Sequence, residues 1–360
     1  MTSLFHPLCG SNLNTLSQLL TQNGPIAPKY LPHAAFALGF TLLRWPITTT
    51  ERLVSAINPR PPIESPIFIV GYWRSGTTHL HNLMSQDPTF GYISPLATGL
   101  PWDILGIVRA FEPLLEKALP EDRYVDNVAV TPNSPQEDSI ALASMLPLSY
   151  YHSLYFPRRF EYHFRRGVYF EGCSEQEIEL WKQRHVQFLS KVSVHQGGKR
   201  ILMKNPVYVG HIAKLREIWP QAKFVHIYRN PYTVFQSTRH FFTKLLPELT
   251  LQTHDELPID QLILESYPRL MGALEADSEQ LPHDSFVEIR FEDLECDPMG
   301  QLAKIYNTLN LPDYEQAQPH FKDYLQKLGA YQKNSYSPNV EDRAKVDRLW
   351  QLFIQKWNYA

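Results

Sequence analysis

The sequence predicts an α/β protein with three layers, in which a central parallel sheet of about five strands lies between helices and follows a helical extension. Short runs of mainly β-branched and aromatic residues at 67–70, 200–204, 223–228 and 285–290 alternate with longer helix-compatible segments, a pattern typical of α/β folds. The first of these runs is apolar along its whole length, so we expect a strand that is buried on both faces, as in parallel sheets. The 360 residues, 43% of them hydrophobic, suffice for one large domain with an appendage.

The N-terminal part is predicted to be separate from the main domain. Residues 1–63 are expected to form a helical extension with a linker, and residues 64–360 the main domain. The most apolar stretch, 31–47, is shorter than the ~20 residues that cross a bilayer, and two prolines and an arginine interrupt it. We therefore expect no transmembrane span. The stretch is interpreted as a helix that packs on the main domain, or as one that lies on a membrane or a partner chain.

A glycine-containing loop follows the first strand. It reads Gly71-Tyr72-Trp73-Arg74-Ser75-Gly76-Thr77-Thr78 and then becomes helix-compatible. Free amides at a helix start attract an anion, and glycines let the backbone approach it closely. The spacing of Gly71 and Gly76 is that of a Walker A loop, which predicts a P-loop-like domain, but Thr77 replaces the lysine that should follow Gly76. The loop thus predicts a phosphate cradle over Ser75 to Thr78.

The missing lysine argues against transfer of a γ-phosphoryl group, because kinases and ATPases use that lysine on the β- and γ-phosphates. The positive charge has moved to Arg74. Its planar fork suits two oxygens of a terminal anionic group. The other interpretation is a plain strand–turn–helix in which Ser75 and Thr77 only cap the helix.

The middle of the chain carries helix-start signals. Ser134 is a predicted N-cap, followed by a proline and by Glu137 at the third helical position, so a helix is expected from Ser134 to about residue 145. A second capping box at Ser174 predicts a long helix to about residue 194. The aromatic-rich stretch 149–170 is interpreted either as a substrate pocket or as core. Residues 241–260 are predicted to form a mobile insertion.

Two later strands end next to charged residues. Lys204 ends the strand at 200–204, at the sheet edge where ligands gather in open α/β folds, and is placed to reach an anion held by Arg74. The strand at 223–228 leads to Arg229, and Pro231 then starts a helix that carries Ser237 two turns in, on the face of the helix start. Arg229 and Ser237 together suit a monoester phosphate. Taken singly, each has an ordinary interpretation as surface charge or packing residue.

The loop Arg74-Ser75-Gly76-Thr77-Thr78, and the strand that leads to Arg229, Pro231 and Ser237, together resemble the two signatures of sulfotransferases that use 3′-phosphoadenosine 5′-phosphosulfate (PAPS). The resemblance runs from about residue 66 to the C-terminus, and the arginine in the loop is similar to the branch of many bacterial and tyrosylprotein sulfotransferases. It implies transfer of a sulfo group to a hydroxyl or amine, which leaves adenosine 3′,5′-bisphosphate.

The resemblance also implies roles for individual residues. Arg74 and Lys204 would stabilise charge on the bridging and sulfo oxygens, and the loop from Ser75 to Thr78 would hold the 5′-phosphate. Arg229 and Ser237 would hold the 3′-phosphate. Lys333 lies where many sulfotransferases close a basic loop on that phosphate, although the Arg-Lys-Gly triplet of the cytosolic enzymes is absent.

The catalytic base is the main departure from the cytosolic enzymes, which carry a catalytic His two positions after the strand-end lysine. Pro206 stands there and has no titratable group. Glu137 is the leading candidate, with Asp138 and His81 as alternatives. Glu137 has a structural alternative, because in a capping box its carboxylate binds the N–H of Ser134.

Composition excludes several classes. The net charge of −3 and pI near 6.5 give no global field for nucleic acid. Three distant cysteines suit a reducing compartment and neither a disulfide framework nor a zinc site, and the N-terminus lacks a secretory signal, so we expect a cytoplasmic protein. No metal is expected.

Three interpretations of function and three acceptor classes stay open. A P-loop kinase of a small metabolite and an inactive nucleotide-binding scaffold are the alternatives to a sulfotransferase. A carbohydrate, lipid or aromatic alcohol acceptor would each fit, and no feature of the sequence selects an oligomeric state.

Overall fold

The structure is a computed structural model, and it describes residues 4–57, 62–117, 131–132, 134–254, 257–328 and 339–359. In chain order the helices are α1 (Leu13–Gln22), α2 (Leu31–Ile57), α3 (Thr77–Met84), α4 (Pro95–Gly99), α5 (Arg109–Glu116), α6 (Ser139–Ala143), α7 (Tyr151–Tyr155) and α8 (Phe160–Tyr169). They continue with α9 (Glu175–His195), α10 (Ile212–Ile218), α11 (Pro231–Leu249), α12 (Ile259–Ser278), α13 (Phe291–Cys296), α14 (Pro298–Leu309), α15 (Tyr314–Leu328) and α16 (Val340–Lys356).

A five-stranded sheet is the centre of the α/β part. Its strands are β1 (Ile67–Val70), β2 (Phe90–Gly91), β3 (Arg200–Lys204), β4 (Lys223–Tyr228) and β5 (Phe286–Arg290), in the order β2-β3-β1-β4-β5. Strand β1 pairs in parallel with β3 and β4, and β4 pairs in parallel with β5. All four residues of β1 are buried, as expected for a central strand covered on both faces. The predicted fold class and four predicted strands are confirmed.

The chain divides into two compact units, each made of several segments. The first comprises Met1–Glu64, Gly91–Ile201 and Lys244–Leu257, and the second comprises Ser65–Phe90, Leu202–Thr243 and Pro258–Ala360. In the second unit, apolar side chains of β1, β4 and β5 share one buried cluster with those of α3 and α14. The expected division into an extension, 1–63, and a main domain, 64–360, stays a prediction.

The aromatic-rich stretch 149–170 lies in the first unit and is largely core. Tyr155 and Phe156 are fully buried, and Tyr150, Tyr151 and Phe164 nearly so. These rings contact one another and their neighbours. Of the two interpretations of this stretch, the packing one is confirmed.

Two local expectations were wrong. No helix starts at Ser134, because its hydroxyl oxygen accepts from the N–H of Thr131 at 2.9 Å and the next N–H, that of Gln136, donates to Ile93 at 2.9 Å. Helix α6 begins only at Ser139. The predicted mobile insertion 241–260 instead contains the second half of α11 and the start of α12, while residues 255 and 256 lie outside the described residues.

Helix α2 is longer than the apolar stretch that predicted it. It continues through Pro46 to Ile57, and within the described ranges no helix is both long and apolar enough to cross a bilayer.

Candidate active site

The loop after β1 is shaped by two glycines. A Cβ on Gly71 would lie 2.4 Å from the carbonyl oxygen of Ile227, and Gly76 has a left-handed φ of +98°. Both positions therefore require glycine. Helix α3 starts at Thr77, directly after the second glycine, so its first N–H groups lie where the loop ends. This is the backbone arrangement that holds phosphate and sulfate groups.

Arg74 projects from this loop, and it has a left-handed φ of +67° that is uncommon outside glycine. Its Nε donates to the Oγ of Ser237 at 3.0 Å, and its guanidinium lies 5.9 Å from the ring centre of Phe241. The family resemblance implies that Arg74 and Ser237 bind opposite ends of the nucleotide. The structure brings them together, and a hydroxyl that accepts from an arginine can still donate to an anion.

Arg229 follows β4 and lies against the same loop. Its Nη1 donates to the carbonyl oxygen of Arg74 at 3.4 Å, and its guanidinium stacks 4.3 Å above the ring centre of Phe291. Two guanidinium groups, a buried serine hydroxyl and a helix start thus surround one edge of the sheet. Such an arrangement favours a ligand that carries more than one anionic group.

Phe291 is a residue that the sequence interpretation missed. A Cβ on Gly76 would lie 2.1 Å from its Cδ2, so one ring supports both the phosphate loop and Arg229. The signal was its position directly after β5, at the same sheet edge. The next residue, Glu292, accepts from the N–H of Asn230 at 3.0 Å and fixes the turn after Arg229.

Strand pairing places Lys204 at the same edge of the sheet as the loop. Its Cα is the partner of Ile69, two residues before Gly71, and its side chain is buried. The chain then turns, because the Oδ1 of Asn205 accepts from Val207 at 3.0 Å. A buried ammonium group at this edge adds positive charge where the dielectric constant is low.

The base candidates differ in environment. His81 is fully buried, with Nε2 3.3 Å from the carbonyl oxygen of Leu202, so its ring lies in the core of the second unit. Asp138 is fully buried as well, and its carboxylate is 3.6 Å from His185. Glu137 is half-buried and does not cap a helix at Ser134, since none starts there. Lys333 lies outside the described residues.

Comparison with known proteins matches this chain to one family. The model of the sulfotransferase family matches residues 66–316. The omega-hydroxy-beta-dihydromenaquinone-9 sulfotransferase of Mycobacterium bovis is 34% identical over 296 residues, which cover 82% of this chain and 76% of that protein.

Two solved structures show the same fold. Sulfotransferase STF1 of Mycobacterium tuberculosis has a TM-score of 0.65 at 16% identity, with 94% of this chain and 90% of that chain covered. Sulfotransferase STF9 of Mycobacterium avium has a TM-score of 0.67 at 13% identity, with 96% of each chain covered.

Proposed function

The chain belongs to the sulfotransferase family, and we propose that it transfers a sulfo group from PAPS to the hydroxyl group of a lipid alcohol. The mycobacterial relative's name states a hydroxylated quinone acceptor, and this is the basis for choosing a lipid from the three acceptor classes. The observation that carries the donor assignment is the cluster of Arg74, Ser237 and Arg229 around the loop after β1.

PAPS has two anionic ends, and the site offers a matching set of groups. We assign the 5′-phosphosulfate to the backbone and hydroxyl groups from Ser75 to Thr78, with Arg74 and Lys204 on the sulfo and bridging oxygens. The 3′-phosphate is assigned to Arg229 and the Ser237 hydroxyl. Because Arg74 bonds to Ser237, the two subsites share one network, so binding at one end would preorganise the other.

The proposed reaction is an in-line displacement at sulfur. The acceptor oxygen forms a bond to sulfur while the bond from sulfur to the bridging oxygen breaks, and its electron pair leaves with adenosine 3′,5′-bisphosphate. Cationic groups favour this step by stabilising the charge that develops on the leaving oxygen. The proton of the acceptor hydroxyl goes to a base, for which we propose Glu137.

The donor assignment is tested by calorimetry. Adenosine 3′,5′-bisphosphate should bind far more tightly than AMP, because only the former carries the 3′-phosphate. Arg229→Ala should weaken the binding of adenosine 3′,5′-bisphosphate by about 1.5–3 kcal/mol, the contribution of a charge-assisted hydrogen bond. It should weaken the binding of AMP much less. Arg348→Ala, which removes an exposed arginine of α16, is the matched control. Equal wild-type affinity for the two nucleotides would refute the assignment.

The reaction class is tested with labelled PAPS and a detergent-solubilised lipid alcohol. A sulfuryl group carries less charge than a phosphoryl group, so we propose that transfer needs no metal and survives excess EDTA. Phosphoryl transfer from ATP would require its bound metal. Metal-dependent use of ATP with the same acceptor, and no use of PAPS, would replace the proposal by a kinase.

The base is tested by Glu137→Gln, which keeps the shape of the side chain. If Glu137 takes the proton, turnover should fall on the order of 10²–10⁴-fold, while nucleotide affinity and melting temperature stay unchanged. Glu179→Gln, on the exposed side of α9, is the control. Normal turnover of Glu137→Gln would exclude this carboxylate as the base.

We also propose a cytoplasmic location. Its support is that Cys9, Cys173 and Cys296 are all free thiols, as is usual in a reducing compartment. Because Cys9 is fully buried in the folded chain, the test is alkylation during denaturing lysis without prior reduction, and labelling of all three thiols is the expected result.

A further inference from the structure

Helix α2 is amphipathic, but its polar side faces the protein and its apolar side faces outward. Its protein-facing side carries Thr41, Arg44, Thr48 and Glu51, all of them buried. Its outer side carries large apolar residues that are exposed. We define the apolar face of α2 as Phe36, Leu42, Leu43, Trp45, Leu53 and Ile57.

The polar side of α2 is fixed by buried ion pairs within the first unit. Arg44 pairs with Asp103, which also accepts from the Thr48 hydroxyl at 2.6 Å. Glu51 accepts from the Lys191 ammonium at 2.6 Å and from the Gly106 N–H at 2.7 Å. Rotating the helix to bury its apolar face would break both pairs and leave charges unpaired, which is costly. The helix is thereby held with its apolar face outward.

The apolar face is broad and almost uncharged. At about 100° per residue, its six residues span about 180° of the helix circumference, whereas the buried polar residues span about 80°. Leu43 is 76% exposed, Ile57 77% and Leu53 59%. Arg52 is the one exposed charged side chain within α2, and its guanidinium lies over the ring of Trp102.

Neighbouring elements extend this surface. Phe36 stacks on Phe40, whose ring contacts that of the half-exposed Phe5. Phe40 also packs on the cluster that holds Leu115 of α5, and α5 exposes Phe111 and Leu114. Exposed apolar side chains in this number, on α2 and on an element that packs on the same cluster as Phe40, mark a binding surface.

We propose that the apolar face of α2 lies on the surface of a lipid bilayer, in the plane of the interface. An amphipathic helix with this arrangement inserts its apolar side to a depth of about 5–10 Å. At ~1.5 Å per residue the 27-residue helix is ~40 Å long, enough to anchor the first unit along one edge.

Breadth and charge favour lipid over a second copy of the chain. A helix–helix seam uses a narrow stripe with charged residues along its edges, whereas here half of the circumference is apolar. A cavity of about 360 Å³, lined by Asn14, Ser17, Thr49 and Arg52 among others, lies beside Trp45. It places polar groups next to the indole ring of Trp45, and tryptophan prefers the level of the lipid head groups. The inference rests in part on the proposed lipid acceptor, which would be presented from the same bilayer.

The test is sedimentation of the full chain with phosphatidylcholine vesicles in about 0.5 M salt, which suppresses electrostatic adsorption. Wild-type protein should sediment with the vesicles. Leu43→Glu should lower the partition coefficient about tenfold or more, because one buried leucine side chain is lost from the lipid and a charge is added. Leu352→Glu changes an exposed leucine of α16 and should have no effect. Both variants should melt at the wild-type temperature.

A second measurement does not depend on Leu43. Brominated lipids should quench the fluorescence of wild-type protein more than that of Trp45→Phe. Retained vesicle binding by Leu43→Glu, or equal quenching in the two proteins, would overturn the proposal. So would a wild-type dimer in light scattering that Leu43→Glu converts to a monomer, since the face would then bind a second copy.

The proposal of a lipid acceptor and the proposal of bilayer docking can be tested separately by assaying transfer in detergent micelles, where no bilayer is needed. Wild type and Leu43→Glu should transfer sulfo groups equally well there, and only wild type should work efficiently on acceptor in vesicles. Failure of both in micelles would refute the lipid acceptor, whereas wild-type transfer in micelles without vesicle binding would refute the docking.

Discussion

Gly76→Ala tests whether the geometry of the loop after β1 holds the nucleotide. Gly76 has a φ of +98°, and an added Cβ would lie 2.1 Å from Cδ2 of Phe291 and 2.6 Å from its Cε2. The left-handed conformation costs an alanine roughly 1–2 kcal/mol, and forcing a methyl group against a packed ring costs about 1–3 kcal/mol. Together these predict a loss of about 2–5 kcal/mol, shared between stability and nucleotide binding.

The displaced ring also supports Arg229, whose guanidinium is 4.3 Å from its centre. We therefore expect calorimetry to show binding of adenosine 3′,5′-bisphosphate weakened by at least about tenfold, since 1.4 kcal/mol corresponds to that factor, together with a lower melting temperature.

Gly272→Ala is the matched control, because that helical glycine in α12 is exposed and a Cβ added to it would have no neighbouring atom within 4 Å. It should leave affinity unchanged and stabilise the chain by about 0.5–1 kcal/mol. Wild-type affinity and melting temperature in Gly76→Ala would refute the reasoning.

Two further predictions concern stability, measured by denaturant unfolding. Burial lowers the pKa of His6 to about 4, while its Nδ1 accepts from the Leu8 N–H and its Nε2 donates to the Leu249 carbonyl oxygen. The unfolded chain therefore binds a proton at this residue below pH ~6.5 that the folded chain does not, so His6 alone should lower the unfolding free energy by up to about 3 kcal/mol between pH ~6.5 and ~4. Burial shifts the pKa of His152 in the same direction, so His6→Gln should remove only the His6 part of the slope. Lys191→Met leaves the buried Glu51 carboxylate without its ammonium partner and should lower the unfolding free energy by about 3–5 kcal/mol. The double variant with Glu51→Leu should lose less stability. An equal or larger loss in the double variant would contradict this.

The parts of the fold that could be predicted are those that depend on residues close together in the sequence. The strand at 200–204, the helix that starts at Pro231 and the capping box at Ser174 are each local in origin, and all three are present. The wrong helix start at Ser134 has a tertiary cause. Gln136 bonds to Ile93, 43 positions earlier, so the backbone N–H is satisfied outside a helix.

The site was predictable as a set of residues but not as a set of contacts. Glycine spacing and charged strand ends pointed to Arg74, Lys204 and Arg229. The bond from Arg74 to Ser237 joins residues 163 positions apart and depends on a left-handed conformation of Arg74 that a non-glycine residue rarely adopts. The support given by Phe291 was missed for the same reason, because its contacts to the loop come from a distant strand end.

Helix α2 shows the limit of periodicity as a guide to burial. A stripe of apolar residues predicts that one face of a helix avoids water, but not what covers that face. Here the partners that fix the orientation are Asp103 and Lys191, far along the chain from Arg44 and Glu51. Two buried ion pairs hold the polar side of α2 against the protein. The apolar side therefore faces outward, where it can contact an apolar phase such as the interior of a bilayer. The proposed acceptor is a lipid, so the helix for which sequence alone left a place on the main domain, on a membrane or on a partner chain is proposed to lie on the bilayer that holds this lipid.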